Sequence, residues 1–149
     1  IYIQDIRFEG RFTVKYEIPH DLMSCKIQKF ILQPVVENAL NHGLEGKMGK
    51  GTIVISASVI KNILYLSVKD DGVGIPQDRL VKLNKSLNHN SVNTKESVRR
   101  SIGLKNVDSR IKMINGSAFG ITIKSQLNTG TEVVIMLPFL KENREDLDV

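Results

Sequence analysis

Residues 52–76 read TIVISASVIKNILYLSVKDDGVGIP, and their pattern changes partway along. Thr52 to Ile60 and Ile63 to Lys69 both alternate with period two, separated only by Lys61 and Asn62, so they are expected to form a tight antiparallel hairpin. After Asp70 to Pro76 the alternation stops, which predicts a loop leading into a short helix over Gln77 to Lys85 rather than a third adjacent strand. Before the hairpin, Phe12, Val14 and Tyr16 alternate within Arg11 to Ile18 and predict another strand, followed by a turn at Pro19 and His20 with Asp21 as a cap. Lys26 to Leu44 has helical spacing. Pro34 cannot donate to the carbonyl of residue 30, so it is expected in the first turn of a fresh helix. Beyond the hairpin, Leu104, Val107, Ile111 and Ile114 mark the buried stripe of a helix that starts near Gly103 and stops at Asn115 and Gly116. Strands at Gly120 to Gln126 and Glu132 to Leu137 follow, joined by a turn at Asn128, Thr129 and Gly130. This order predicts an α+β fold: a two-layer α/β sandwich with a mixed, mostly antiparallel sheet and helices on one face.

The chain has 149 residues, 41% of them apolar, which suits one domain with a real core. Residues 1–10 are expected to be the end of an upstream helix or a linker, because Ile3, Ile6 and Arg7 have helical spacing without an N-cap. Residues 11–140 form the domain, and 141–149 a charged, frayed tail. Ser86 to Ser101, SLNHNSVNTKESVRRS, has little to bury and is expected to be mobile. Lysines and arginines number 21 against 16 acidic residues, a net +5, but both signs are scattered and no basic face with interleaved aromatics points to nucleic acid. No apolar run approaches the roughly 18 residues of a membrane span, and IYIQDIRF is not a signal peptide, so a soluble domain is expected. The single cysteine, Cys25, excludes an internal disulfide and a structural zinc site and fits a reducing compartment.

Three segments carry candidate chemistry. In QPVVENALNHG, residues 33–43, Pro34, Glu37, Asn38 and Asn41 fall at i, i+3, i+4 and i+7, beside an apolar stripe of Val35, Val36, Ala39 and Leu40. The asparagine oxygen of Asn38 suits a Mg²⁺ ion that also binds phosphates, since such an ion needs only one or two protein oxygens; an ordinary amphipathic polar face remains the alternative. In KDDGVGIP, residues 69–76, Asp70 stands at a strand end with glycines that let backbone approach a flat ring, and its carboxylate can accept the hydrogen bond of an exocyclic amine such as adenine's. A plain strand-to-helix loop is the alternative there. In RRSIGLKN, residues 99–106, a glycine-containing turn opens a helix whose free amides attract phosphate, with Lys95, Arg99, Arg100 and Lys105 adding charge. The spacing is neither the Rossmann nor the P-loop fingerprint, and in GLEGKMGKGT Thr52 stands where a P-loop lysine would be.

In order and separation these segments resemble the ATP-binding domain of the gyrase, heat-shock chaperone, histidine kinase and MutL superfamily, the Bergerat-type ATP-binding fold. ILQPVVENALNHG, KDDGVGIP, SIGLKNVDSRI, NTGTEVVIMLP and the opening IRFEGRF are most similar to the catalytic domain of YesM/LytS-type sensor histidine kinases, over roughly Ile3 to Phe139. The resemblance implies ATP and Mg²⁺ as cofactors, with Asn38 as the metal-linked residue and Glu37, Asn41 and His42 around the phosphates and ribose. It also implies that Asp70 binds the adenine amine and that Gly72 and Gly74 shape the base pocket. Ile75 would lie against the ring, and Thr131 beside Asp70 and a bridging water. Gly103, Leu104 and Lys105 would close the edge of a lid over the triphosphate. Asn106 and Arg110 match the pattern without a role.

The chain departs from that pattern in places. Many histidine kinases carry a second asparagine where Pro34 stands and a lysine where Asn41 stands, and Ser101 replaces the first lid glycine. Gyrase-like ATPases place a water-activating glutamate at the position of Pro34, so self-sufficient ATP hydrolysis is not expected, and Glu37 is left either as a base or as an orienting group. The implied reaction is transfer of the γ-phosphoryl of ATP to a histidine. His20, His42 and His89 do not lie on a dimerising helix, so the acceptor is expected upstream of Ile1. The resemblance further implies a membrane-anchored homodimeric sensor, of which this is the cytoplasmic ATP-binding end, passing phosphate to a response regulator. Two other readings are an anti-sigma-type serine/threonine kinase on the same fold and a non-catalytic nucleotide-binding regulatory module.

Overall fold

The computed structural model describes residues 12–25, 27, 29–44, 47–88 and 98–139. The expected terminal segments at 1–10 and 141–149 and the middle of the expected mobile stretch, 89–97, lie outside them. The elements are β1 (Phe12–Glu17), a 3₁₀ turn (His20–Leu22), α1 (Lys29–Asn38), a π-helical segment (Ala39–Leu44), β2 (Gly51–Ile60), β3 (Ile63–Asp70), α2 (Gln77–Asn88), α3 (Val98–Asn115), β4 (Gly120–Gln126) and β5 (Gly130–Pro138).

The five strands among the described residues form one sheet in the order β1-β2-β3-β5-β4. β1 runs parallel to β2, while β2 with β3, β3 with β5 and β4 with β5 are antiparallel. The expected mixed, mostly antiparallel sheet is therefore present. Lys61 and Asn62 turn the β2–β3 hairpin with both φ angles positive, 49° and 62°, the backbone sign of a type I′ turn and a conformation asparagine tolerates well.

Register sorts the sheet's faces. Ile55, Val68, Val133 and Ile123 share one cross-strand row, and Ala57, Leu66, Ile135 and Ile121 the next. Every one of these residues is buried, whereas the positions between them in β2 and β3 are only half-buried or exposed. Helices cover that apolar face: Leu32, Val35, Val36 and Ala39 come from α1 and the segment after it, Leu80 and Leu87 from α2, and Leu104, Val107 and Ile111 from α3. Each leucine, isoleucine or valine among them contributes about 1.5–3 kcal/mol on leaving water, and together they set the two-layer sandwich.

The helices differ from expectation in three respects. α1 runs unbroken through Pro34 rather than restarting there; the proline removes one i→i−4 hydrogen bond, and the burial of Leu32, Val35 and Val36 around it holds the helix together. α2 continues to Asn88, past Lys85, with Leu87 buried. α3 begins at Val98, not near Gly103, so Gly103 sits inside the helix. An interior glycine costs only about 1 kcal/mol relative to alanine, which packing of the adjoining Leu104 and Val107 offsets. The buried stripe of α3 is Leu104, Val107, Asp108 and Ile111, spaced i, i+3, i+4 and i+7, whereas Ile114 is exposed.

Asp108 is a buried charge that the apolar pattern of α3 does not announce. Its Oδ2 lies 2.7 Å from Lys112 Nζ, and its Oδ1 accepts the Ile121 N–H at 2.8 Å. Two residues along, the Asn84 side chain accepts the Ile123 N–H at 3.3 Å and donates to the Ile123 carbonyl at 3.0 Å. β4 is an edge strand, so these helix side chains satisfy outward backbone groups that would otherwise be free to pair with another chain. Among the described residues, no helix is long and apolar enough to cross a membrane.

Candidate functional site

The apolar rows of the covered face end in a polar one. Ile53, Asp70, Thr131 and Ser125 are successive cross-strand partners on β2, β3, β5 and β4, and they share the face of Ile55, Val68, Val133 and Ile123 because side chains two apart on a strand point the same way. A row holding a carboxylate and two hydroxyls cannot be closed over by hydrocarbon without a large desolvation cost. This end of the sheet is where a polar ligand can replace a packed side chain.

Asp70 is 3% exposed and Thr131 7%. Asp70 Oδ1 accepts the Gly72 N–H at 2.9 Å and the Thr131 N–H at 3.3 Å. Oδ2 takes part in neither bond. Since no fully buried side-chain nitrogen or oxygen among the described residues lacks a partner, Oδ2 opens onto accessible space as an unused acceptor. Burial is the strongest influence on this carboxyl and pushes its pKa above the ordinary 3.8; the neighbouring Asp71 acts in the same direction, while the two backbone N–H groups and Lys47 act in the other.

The loop after Asp70 is fastened on both sides. Towards β2, Asp71 Oδ1 accepts the Thr52 N–H at 2.9 Å and its Oδ2 meets Lys47 Nζ at 2.8 Å. Burial acts to raise the Asp71 pKa, but the Lys47 ammonium and the Thr52 N–H together outweigh it and hold the carboxyl below 3.8. Towards the β4–β5 turn, the Asn128 N–H donates to the Val73 carbonyl at 2.7 Å and the Ile75 N–H to Ser125 Oγ at 2.8 Å. Two glycines make this approach possible. Gly74 has φ +71° and a Cβ there would lie 2.0 Å from the Gln126 carbonyl oxygen, while Gly130 has φ +137° and a Cβ there would lie 2.0 Å from the Asp70 carbonyl oxygen. Gly72 is buried and Ile75 partly buried against the core.

The residues from the first segment reach this place through the π-helical turn. Ala39–Leu44 contacts both β3 and β5, the strands carrying Asp70 and Thr131, and Leu44 lies over Gly51 at the start of β2. Asn38 is the last residue of α1 and half-buried; Glu37 and Asn41 are exposed. Gln33 Nε2 donates to Glu37 Oε1 at 2.9 Å. The change from α to π winding after Asn38 means that the i+7 spacing expected to align Asn41 with Pro34 does not apply, because a π turn spans more residues. The backbone of His42 lies in this turn, and its side chain is outside what the structure describes.

Gly103, Leu104 and Lys105 are separate from this cluster in character. They occupy the interior of α3, where Leu104 is 2% exposed in the core and Gly103 faces open space. The expected helix-opening turn with free amides at Gly103 is thus absent, because the helix has already begun at Val98 and an interior amide is spent on the turn before it. Lys105 is half-buried, Asn106 and Arg110 are exposed.

Sequence reasoning does not single out Ser125, Asn128, Asp71 or Lys47 as site residues. Ser125 carries a signal nonetheless: in GITIKSQ it is the polar member of an otherwise apolar alternating set, Ile121 and Ile123, opposite Thr131 once the hairpin is registered. Among the described residues there is no cluster of three or more histidine, cysteine, aspartate or glutamate side chains suited to enclose a metal. A cation held only by protein is not what this donor set fits, whereas one held jointly by phosphate, water and a single amide oxygen is compatible with it.

The sequence profile described as histidine kinase-, DNA gyrase B-, and HSP90-like ATPase matches residues 28–141. The sensor histidine kinase YpdA of Escherichia coli K12 is 33% identical over 93% of this chain, which covers 22% of that protein. For the sensor histidine kinase YesM of Bacillus subtilis strain 168 the identity is 31% over 94% of the chain, again 22% of the relative's length. The chain therefore spans less than a quarter of these relatives. Among solved structures, the catalytic domain of histidine kinase ThkA superposes with a TM-score of 0.59 at 20% identity, covering 86% of this chain and 80% of that one. The histidine kinase domain of the Erythrobacter litoralis EL346 blue-light activated kinase gives 0.56 at 20% identity, over 88% of this chain and 53% of that one. These two likenesses speak to the fold. The profile match over most of the chain settles the family: the chain belongs to the histidine kinase-, DNA gyrase B- and HSP90-like ATPase family, and is similar to the ATPase domain of sensor histidine kinases.

Proposed function

We propose that this domain binds Mg-ATP at the polar end of the sheet and delivers its γ-phosphoryl group to a histidine outside this sequence, in a sensor that then passes the phosphate to a response regulator. The observation that carries the reading is Asp70: a nearly buried carboxylate whose one oxygen is held by two backbone N–H groups and whose other is left open as an acceptor. Asp70 Oδ2 takes the hydrogen of the adenine amine. Gly72, Gly74 and Ile75 form the wall that the base lies against, and Thr131 supplies a hydroxyl beside Asp70. Asn38 offers its amide oxygen towards the phosphates, where a magnesium ion would neutralise charge on the transferring group. Glu37, Asn41 and His42 are assigned to the same phosphate and ribose end, and Gly103 and Lys105, on either side of the buried Leu104, to the closing edge over the triphosphate.

In the transfer, an imidazole nitrogen forms the N–P bond as the bond to the β–γ bridging oxygen breaks and ADP leaves. The domain contributes alignment and charge compensation to this step. Residues 1–10 would lead in from a histidine-bearing dimerisation segment, 11–140 form the ATP-binding unit and 141–149 the tail. The whole protein would be a membrane-anchored homodimer with this domain in the cytoplasm. The experiment is to mix the chain with ATP, Mg²⁺ and the segment that precedes it in the parent protein, and to follow phosphate on the protein. Acid-labile phosphate on histidine is expected. Acid-stable phosphate on serine or threonine would favour the serine/threonine kinase reading, and absence of nucleotide binding at millimolar ATP would leave only a regulatory scaffold.

A further inference from the structure

Asp71 is not one of the groups assigned to ATP, yet its side chain decides how the β2–β3 ladder ends. The antiparallel register that pairs Ile53 with Asp70 sets Thr52 opposite Asp71. At a hydrogen-bonded position, two opposed residues exchange both of their N–H···O=C bonds. Here the main chains make only one of the two, from the Asp71 N–H to the Thr52 carbonyl at 3.2 Å. The Thr52 N–H donates instead to Asp71 Oδ1, at 2.9 Å. A side-chain oxygen has taken the place of the Asp71 carbonyl.

The consequence falls on the next peptide. A trans peptide is planar and its C=O and N–H point in opposite directions, so the Asp71 carbonyl and the Gly72 N–H turn together. A carbonyl engaged by Thr52 would face β2 and carry the Gly72 N–H to the other side, continuing the strand. Released from Thr52, the peptide turns, and the Gly72 N–H reaches Asp70 Oδ1 at 2.9 Å. That bond and the one from Thr131 occupy Oδ1 and leave Oδ2 open. Asp71 Oδ2 also meets Lys47 Nζ at 2.8 Å, but these side chains are 43% and 27% exposed, so the ion pair adds little beside the hydrogen bond to Thr52.

We propose that Asp71 is a positioning residue for nucleotide binding: its carboxylate replaces its own carbonyl as acceptor of the Thr52 N–H, which frees the following peptide to aim the Gly72 N–H at Asp70 and so presents Asp70 Oδ2 to the ligand. The proposal rests on the ATP-binding reading above and adds a residue to it. What the position requires is an oxygen at the place of Oδ1, not a negative charge. With no acceptor there, the Thr52 N–H takes the main-chain carbonyl, the strand runs on by one residue and the Gly72 N–H leaves Asp70.

The test combines equilibrium binding of ATP and Mg²⁺ with amide hydrogen exchange of the ligand-free chain, for wild type, Asp71→Ala, Asp71→Asn and Lys47→Met. In Asp71→Ala the ATP dissociation constant should rise about fivefold, the scale of one hydrogen bond's net worth. Exchange at the Gly72 amide should quicken, while the Ile121 amide, held by Asp108 on the far edge strand, keeps its wild-type rate. Asp71→Asn retains the oxygen and gives up only the ion pair, so it should match Lys47→Met, with affinity within about twofold of wild type. A rise below threefold in Asp71→Ala, or Gly72 and Ile121 amides quickened alike, would overturn the proposal while leaving ATP binding intact. So would a loss in Asp71→Asn clearly beyond that of Lys47→Met, and this comparison decides alone if Asp71→Ala does not fold. Failure of the wild-type chain to bind ATP would overturn the functional reading itself, whereas the Gly72 exchange rates still report on the ladder end.

Discussion

Asp70→Asn separates recognition from folding, because the two oxygens of Asp70 do different work. Oδ1 accepts the Gly72 and Thr131 N–H groups, so in the variant the amide oxygen must take that place; the reverse orientation would set the amide NH₂ against two donors. That NH₂ then points where Oδ2 had been open, and a donor meets the donor of the adenine amine. Loss of one hydrogen bond to a buried acceptor costs about 1–3 kcal/mol, and at about 1.4 kcal/mol per tenfold the ATP dissociation constant should rise by roughly 5- to 150-fold. Folding should not suffer to match. Burial pushes the Asp70 carboxyl above 3.8 despite its two N–H partners, which means that the folded protein favours the neutral form, and an isosteric neutral amide relieves that cost at pH 7. Isothermal titration with ATP and Mg²⁺, paired with thermal unfolding of the ligand-free chain, reads both effects. An affinity within twofold of wild type would refute the assignment of Oδ2. A large fall in Tm accompanying the lost affinity would refute the claim that Asp70 is held at a cost to stability.

The same carboxylate gives a pH signature. Its pKa is raised on folding, so its stabilising contribution is complete below 3.8 and disappears as pH rises through the folded value; Asp71, whose pKa is lowered, contributes above 3.8 and loses that contribution as pH falls through its folded value. The Tm advantage of Asp70→Asn over wild type should therefore be largest near neutral pH and shrink on acidification, and the wild-type advantage in ATP affinity should shrink over the same interval; curves that stay parallel would count against it. Lys112→Met leaves Asp108, 1% exposed, with the Ile121 N–H but no cation, and should lower stability by about 3 kcal/mol or more in chemical denaturation, since breaking a buried pair strands a charge. Gly130→Ala forces a side chain into φ +137° with its Cβ 2.0 Å from the Asp70 carbonyl oxygen. Beyond the roughly 1–3 kcal/mol of backbone strain, the β4–β5 turn must move off the Asp70 loop, so ATP affinity should fall with stability; a variant that melts and binds like wild type would contradict the described approach.

Strands are the most legible part of this chain. The bounds expected for β2, β3 and β4 fall within a residue of those observed, because period-two alternation reflects a face buried all along the strand. Helix starts are less legible. The onset of α3 at Val98 and the passage of α1 through Pro34 depend on what packs against those turns, and local propensity is too weak to outweigh tertiary burial. Asp108 shows the limit most clearly: within the stripe of α3 it looks like a surface charge, and only the edge of β4 and Lys112, one helical turn along, make it a buried anchor.

For the site, the residue types and their order along the chain are sufficient to identify the family and to nominate Asp70, Thr131 and Asn38 as candidates, since such motifs are local and the chemistry of each side chain is intrinsic to it. Which oxygen of Asp70 is occupied and which is open, and the seating of Ser125 between Ile75 and Thr131, come from strand register. Those properties belong to pairs of atoms from β3, β4 and β5, as much as 61 residues apart in the chain, and hydrogen-bond direction is set by the full set of partners around an atom, which no single segment contains.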